Sequence, residues 1–149
     1  MYTRHKIIGI IVFIMTAIPC YFAEILYDNL AITAITVVSI SVAIYIATMS
    51  ALLGSPYADK LKSIRDSKIR GKSQLGVLAT YLRIAGDCGV LTIFIGSLYQ
   101  IPAIIAIPPL LQRLASSAAC GIFAVNILFL WLIFRFLVTA LINSAGNSA

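Results

Sequence analysis

The sequence has little charge. Of its 149 residues only 11% are charged, whereas 61% are hydrophobic, and the mean hydropathy is +1.03. A soluble globular domain has about 25% charged residues and about 45–50% apolar ones. The composition therefore excludes an ordinary soluble domain and indicates a membrane protein.

The sequence also lacks the short motifs of common catalytic sites. It has no glycine-rich phosphate loop, no HExxH and no GxSxG, and its single histidine, His5, lies in the basic N-terminal tail. The three cysteines, Cys20, Cys88 and Cys120, lie in apolar runs without CxxC spacing, which favours small core residues over zinc ligands or disulfides. We therefore expect no enzyme activity, no bound metal and no cofactor.

Long uncharged runs are what the sequence does contain. They cover residues 7–23, 30–53, 88–112 and 114–134, and about 20 helical residues cross a bilayer core of about 30 Å. The first run continues to Phe22 without a clean cleavage site after it, so we interpret it as a retained helix rather than a signal peptide. The prediction is an all-α integral membrane four-helix bundle, one domain over residues 1–149, with helices at about 7–27, 30–53, 73–101 and 114–141.

Basic residues are distributed unevenly about these helices. With both termini in the cytoplasm, ten of the eleven Lys and Arg residues lie inside and only Arg113 lies outside. Cytoplasmic loops of membrane proteins carry an excess of Lys and Arg. We therefore predict an N-in, C-in multi-pass protein, and the compact chain without sorting signals indicates the bacterial inner membrane.

The loop at 55–72 is strongly basic. Ser55 followed by Pro56 is typical of a helix start, and Gly71 suits a helix end, so we predict a short amphipathic cytoplasmic helix here. Because both flanks are membrane spans, we interpret the basic residues as a topology anchor that also binds anionic lipid or a cytosolic protein, without direct nucleic-acid binding. The predicted partner- or lipid-binding residues are Lys60, Lys62, Arg65, Lys68, Arg70 and Lys72.

Three polar residues lie within or beside the spans. Arg83 and Asp87 are four residues apart in the third helix, so they form either an ion pair at the inner boundary or a site of ion or proton chemistry. Asn126 lies near the centre of the fourth helix, where an amide is expected to bond to another helix or to its own copy in a second subunit.

Small residues predict close helix packing in two places. In the second helix they recur every four residues, and in the fourth helix they offer a second small face, so we expect burial in the bundle or at a homo-oligomer interface. These predicted packing residues are Ser39, Ala43, Ala47, Ala51, Ser117 and Gly121. The apolar, proline-rich connection at 99–113 has no assigned role beyond lying at the outer surface.

Two functions fit these features. The leading one is a non-enzymatic oligomeric scaffold or sensor that docks a cytosolic partner on its basic face. The alternative is a small oligomeric channel or transporter lined by Asn126, Thr92, Gln100 and the Arg83/Asp87 pair.

The chain also resembles a known family, the membrane subunit of Kiwa, a two-component bacterial anti-phage system. The likeness rests on the start MYTRHKIIGIIVFIMTAIP, the loop KLKSIRDSKIRGKSQ and four spans over most of the chain. The resemblance implies an inner-membrane tetramer that senses phage at the envelope and works with a cytosolic DNA-binding effector. It carries over no individual functional residue.

Overall fold

The structure is a computed structural model that describes residues 2–53, 55–65, 71, 73–101 and 108–146. Within these residues the chain is all-helical, with five helices: α1 (Thr3–Phe22), α2 (Asp28–Leu53), α3 (Pro56–Ser63), α4 (Gln74–Leu98) and α5 (Pro109–Gly146). The four longer ones, α1, α2, α4 and α5, are each long and apolar enough to cross a membrane. This confirms the prediction of an all-α, multi-pass membrane protein with four spans.

The ends of the first and last helices, α1 and α5, differ from the predicted bounds. α1 ends at Phe22 rather than near residue 27, because Glu24 adopts φ +53° and reverses the chain. The backbone N–H of Ile25 then donates to the Cys20 carbonyl at 3.1 Å, which closes the helix end. α5 covers 109–146 instead of 114–141, because Pro109 occupies the first helical position, where its missing N–H is harmless.

Two serines cap the N-termini of α3 and α4. The Ser55 hydroxyl accepts the backbone N–H of Ala58 at 3.3 Å, and the Ser73 hydroxyl accepts that of Gly76 at 3.2 Å. Both capping serines were recognisable in the sequence. α3, however, ends at Ser63, well before Gly71, which instead occupies a turn with φ +84°.

The helices do not pack as two sequential hairpins. α4 and α5 contact each other at the centre, α2 packs against α4, and α1 packs mainly against α5. α1 buries no residue fully, so it is the most peripheral span. The first and the last helix of the chain thus pack against each other.

Two apolar clusters form the core. The larger one joins α2, α4 and α5 and includes Tyr45, Leu78, Tyr81, Phe129 and Ile133. The smaller one lies toward the other end of the bundle, around Tyr27, Ala31, Ala119 and Cys120. Interhelical packing inside a bilayer depends on such close contacts, because lipid tails are as apolar as the side chains.

Glycines make the closest helix contacts. A Cβ on Gly89 would lie 2.5 Å from Val42 on α2, and one on Gly121 would lie 2.7 Å from the Phe13 ring on α1. Gly121 and the buried Ser117 thus lie where α5 meets its neighbours. The four predicted packing residues of α2 have a different position, on the exposed side of that helix: Ser39, Ala43, Ala47 and Ala51.

The exposed α2 residues make no close packing within the described chain. The buried side of α2 instead carries Ala31, Ala34, Val38, Ser41 and Tyr45. The small residues of α2 therefore do not lie inside the bundle of one chain. Their place at an interface between two copies stays a prediction.

Candidate functional site: the basic end of the bundle

One end of the bundle brings together polar residues from three helices. The backbone N–H of Tyr2 donates to the Tyr81 hydroxyl at 3.1 Å, and Nδ1 of His5 lies 2.5 Å from the same hydroxyl oxygen. Arg135 of α5 lines the same cleft as His5 and Tyr81. Together with Arg83, two residues beyond Tyr81, these residues define what we term the Arg135 belt: Tyr2, His5, Tyr81, Arg83 and Arg135.

A second set of charges marks the opposite end. The Arg113 guanidinium of α5 lies 2.9 Å from the Glu24 carboxylate in the turn after α1. Nearby, the Tyr27 and Tyr99 rings meet edge to face at 5.3 Å, and the Ser116 hydroxyl donates to that of Tyr99 at 3.3 Å. We term the charged pair the Arg113 belt.

The two belts are separated by about the thickness of a hydrocarbon core. Along α5, Arg113 and Arg135 are about 33 Å apart, at 1.5 Å per helical residue. The hydrocarbon core of a bilayer is about 30 Å thick. Antiparallel packing thus places charges from distant parts of the sequence at two levels. The distance between these levels matches the thickness of the hydrocarbon core.

The described start of the basic loop, residues 55–65, which we term the basic segment, lies beyond the Arg135 belt and is packed against the bundle. Leu61 of α3 is only 3% exposed, and α3 contacts α4. An antiparallel bridge joins Arg65 to Ser73, and the backbone N–H of Gln74 donates to the Ile64 carbonyl at 3.0 Å. The loop is therefore closed at its base, against the start of α4.

The predicted binding residues divide into two groups. Lys62 and Arg65 are exposed, on α3 and just after it. Lys68, Arg70, Lys72 and the side chain of Lys60 lie outside the described residues. Lys62 also lines a groove of about 280 Å³ between α2, α3 and α4, whose apolar wall includes Met49, Leu52 and Leu82.

Arg83 and Asp87 lie on the outside of the bundle. Nε of Arg83 is 4.0 Å from Oδ2 of Asp87, and the two side chains are 84% and 76% exposed. Asp87 lies about 6 Å from Arg83 along α4, on the side of the Arg113 belt. The pair is thus a loose i,i+4 contact that runs from the Arg135 belt toward the bilayer centre, directed away from the other helices of its own chain.

Asn126 is buried between α4 and α5. Its Nδ2 donates to the Thr92 hydroxyl at 2.6 Å and to the Cys88 carbonyl at 3.3 Å. The amide thus bonds to another helix of the same chain, which is one of the two arrangements expected from the sequence. Its Oδ1 is buried without a hydrogen-bond partner among the described residues.

Sequence reasoning did not identify the cluster around Tyr81. His5 and Tyr81 are separated by 76 positions, and neither belongs to a motif. The one available signal was a tyrosine within an apolar helix, and a buried tyrosine hydroxyl usually finds a partner. Which partner it finds depends on α1 packing against α5, and the sequence did not indicate that contact.

Comparison with known proteins adds no assignment. No protein-family model, no curated protein and no solved structure matches the chain. Among the described residues, no three His, Cys, Asp or Glu side chains converge on a point where a metal ion would bind. The function is therefore argued from the geometry of the two belts and the basic segment.

Proposed function

We propose that the protein is a non-enzymatic, oligomeric scaffold of the bacterial inner membrane, oriented with both termini inside, that docks an acidic cytosolic protein on its basic end. The observation that carries this proposal is the packed basic segment. α3 is capped by Ser55, buries Leu61, contacts α4 and is closed by the Arg65–Ser73 bridge. A positive surface of defined shape favours a partner of opposite charge.

A topology anchor alone does not require this structure. Orientation depends on the number of Lys and Arg residues near the helix ends, and a flexible loop supplies them equally well. A short helix such as α3 is marginal by itself and gains stability from the surface on which it packs. The packing fixes the position of Lys62 and Arg65 relative to the apolar groove beside them.

Oligomerisation is supported by the exposed face of α4. Charged groups in a membrane are unfavourable against acyl chains, and they normally face other protein, water or the headgroups. Asp87 lies about one turn inside the Arg135 belt on an exposed face. A second copy packed there would shield the pair from lipid, and the small residues of α2 offer a further surface for close approach.

The channel alternative has less support from the geometry. Asn126 and Thr92 are buried between α4 and α5, whereas Arg83 and Asp87 are exposed on the far side of α4. These residues do not line one path through the described part of the chain. A pathway for ions would therefore have to run between copies, and we do not propose one.

The resemblance to the Kiwa membrane subunit extends this proposal to a biological role. On that reading the docked partner is a cytosolic DNA-binding effector, the assembly is a tetramer, and the process is anti-phage defence. The docking proposal itself rests on the packed basic segment and does not require the resemblance.

Charge reversal tests the docking function. The variant carries Lys62→Glu, Arg65→Glu and Lys68→Glu, and the matched control carries Arg113→Glu, a reversal at the opposite end of the bundle. Each protein is purified from the native host in mild detergent at low and moderate salt, and its mass is measured in the native state. We expect the wild type and the control to retain a stoichiometric soluble partner at low salt, and the triple variant to lose it.

Salt provides the second criterion. Because exposed charges are screened within about 8 Å at physiological ionic strength, the partner should dissociate from the wild type as salt rises. A triple variant that inserts normally and keeps its partner would contradict the proposal. A wild-type oligomer that carries lipid but no protein partner would do so as well.

A further inference from the structure

The cleft at the Arg135 belt is lined by both polar and apolar side chains. It encloses about 370 Å³ between the start of α1, the first turns of α4 and the end of α5. Its polar wall contains His5, Tyr81 and Arg135, and its apolar wall includes Ile8 and Phe136. The cleft thus offers polar groups to a phospholipid headgroup and apolar surface to its acyl chains.

Arg135 is positioned to bind an anion at this rim. Its guanidinium carbon lies 5.4 Å from the centroid of the Trp131 ring, so the two planar groups form one exposed surface. No carboxylate among the described residues pairs with Arg135, since the ion pairs described there are Arg83–Asp87 and Arg113–Glu24. Arg4 and Lys6, exposed at the same end, add to the positive potential.

A second groove begins at the same tryptophan. It encloses about 440 Å³ beside α5, and the described side chains that line it are apolar, among them Ile44 of α2 and Phe134 and Leu137 of α5. Trp131 and Ile133 line both this groove and the cleft. The cleft and the groove thus adjoin at Trp131, one turn before Arg135 on α5, so a headgroup on the guanidinium has apolar surface on either side of the Trp131 ring for its two acyl chains.

We infer that the end of α5 is a binding site for an anionic phospholipid of the surrounding bilayer, with its phosphate on Arg135 and its acyl chains in the cleft and in the adjoining apolar groove. Basic pockets between transmembrane helices at the cytoplasmic boundary bind anionic headgroups by the same physics. The inference concerns a lipid and not the soluble partner, so it stands independently of the docking proposal.

The single tryptophan makes this site directly measurable. Trp131 is the one Trp of the chain, and brominated acyl chains quench tryptophan fluorescence on contact. The protein is reconstituted into vesicles that mix brominated phosphatidylglycerol with ordinary phosphatidylcholine, and into the reciprocal mixtures. We expect phosphatidylglycerol to bind beside Trp131 about five-fold more tightly than phosphatidylcholine, the order expected for one basic contact.

Three variants separate the site from general surface charge. Arg135→Gln should abolish the preference for phosphatidylglycerol, so that the two lipids bind equally, a ratio of about one. Arg135→Lys keeps the charge and should retain most of the preference. Arg83→Gln removes a charge at the same level of the bundle but outside the cleft, on the exposed side of α4, and it should leave the preference unchanged. If Arg135→Gln fails to fold, the preference of the wild type and of Arg135→Lys still tests the inference.

Two results would overturn the inference. Equal quenching of the wild type by both brominated lipids would mean that the grooves hold ordinary bilayer lipid. A preference that survives Arg135→Gln would assign lipid selectivity to basic residues outside the cleft. In either case the experiment with the soluble partner would remain unaffected.

Discussion

At the scale of single residues, the unusual groups are buried polar atoms. Tyr27, between α1 and α2, is 0% exposed and packs edge to face on Tyr99, yet its hydroxyl has no partner among the described residues. Burial, followed by the nearby Cys120 and Tyr99, raises the pKa of Tyr27 to about 12. The hydroxyl therefore stays neutral at physiological pH, and its desolvation is not offset by a hydrogen bond.

Removing this hydroxyl should stabilise the fold. We expect Tyr27→Phe to raise the free energy of unfolding by about 1 kcal/mol, because the aromatic packing is kept and an unpaired polar atom is lost. Tyr27→Ala should lower it by about 3–5 kcal/mol, because it leaves a cavity among Ala31, Ala119 and Tyr99. Both values can be measured by reversible unfolding in mixed detergent micelles. A destabilised Tyr27→Phe would indicate that the hydroxyl bonds to a water or ligand.

At the scale of elements, α4 is the central helix, and its two sides have different tolerance for added volume. Gly89 is buried against Val38 and Val42 of α2, whereas Gly86 has nothing within 4 Å of the position of an added Cβ. Both glycines lie within the same span. The sequence offers no means of telling them apart, because each is a glycine in an apolar run.

These two glycines form a matched pair for a test of the α2–α4 contact. Gly89→Ala should destabilise the protein by about 1–3 kcal/mol, because the β-branched Val42 has little freedom to move aside. Gly86→Ala should be neutral or stabilising by up to about 1 kcal/mol, because it restricts the backbone without creating a contact. The same unfolding measurement applies. Equal effects at the two positions would mean that α2 and α4 do not meet as described.

At the scale of the whole molecule, charge is separated along the bundle. His5, Arg83 and Arg135 lie toward one end, together with the basic segment, and Glu24 pairs with Arg113 at the other. The first turns of α4 continue about 13 Å beyond Arg83, and the last turns of α5 about 16 Å beyond Arg135. The extension of α4 contacts α3 and supports the basic segment.

This separation makes the orientation testable. If the basic end is cytoplasmic, a C-terminal fusion to green fluorescent protein should fluoresce, and a fusion to alkaline phosphatase should be inactive, because the phosphatase matures only outside the cytoplasm. Fusions placed after residue 105, in the connection between α4 and α5, should show the reverse pattern and serve as the control. Active phosphatase at the C-terminus would contradict the N-in, C-in proposal.

The number of spans and several helix ends followed from the sequence by itself. Uncharged runs of about 20 residues cannot stay in water, and a backbone in lipid must form its hydrogen bonds internally, so composition alone determined four helices. Local chemistry likewise determined the caps at Ser55 and Ser73 and the start of α3 at Pro56, because capping depends on neighbouring residues. Residues 102–107, within the predicted proline-rich connection at 99–113, lie outside the described residues, and the role of this connection stays unassigned.

The tertiary structure alone decided which faces meet. In a span that is apolar all round, the 3.6-residue period carries little contrast between sides, so the sequence did not reveal that α1 packs on α5 or that Ser39 and Ala43 face outward. It also did not reveal that Tyr81 joins His5, or that Arg83 and Asp87 point away from the bundle. These outcomes depend on steric fit between helices distant in the chain, and in lipid that fit, rather than hydrophobicity, selects the partners.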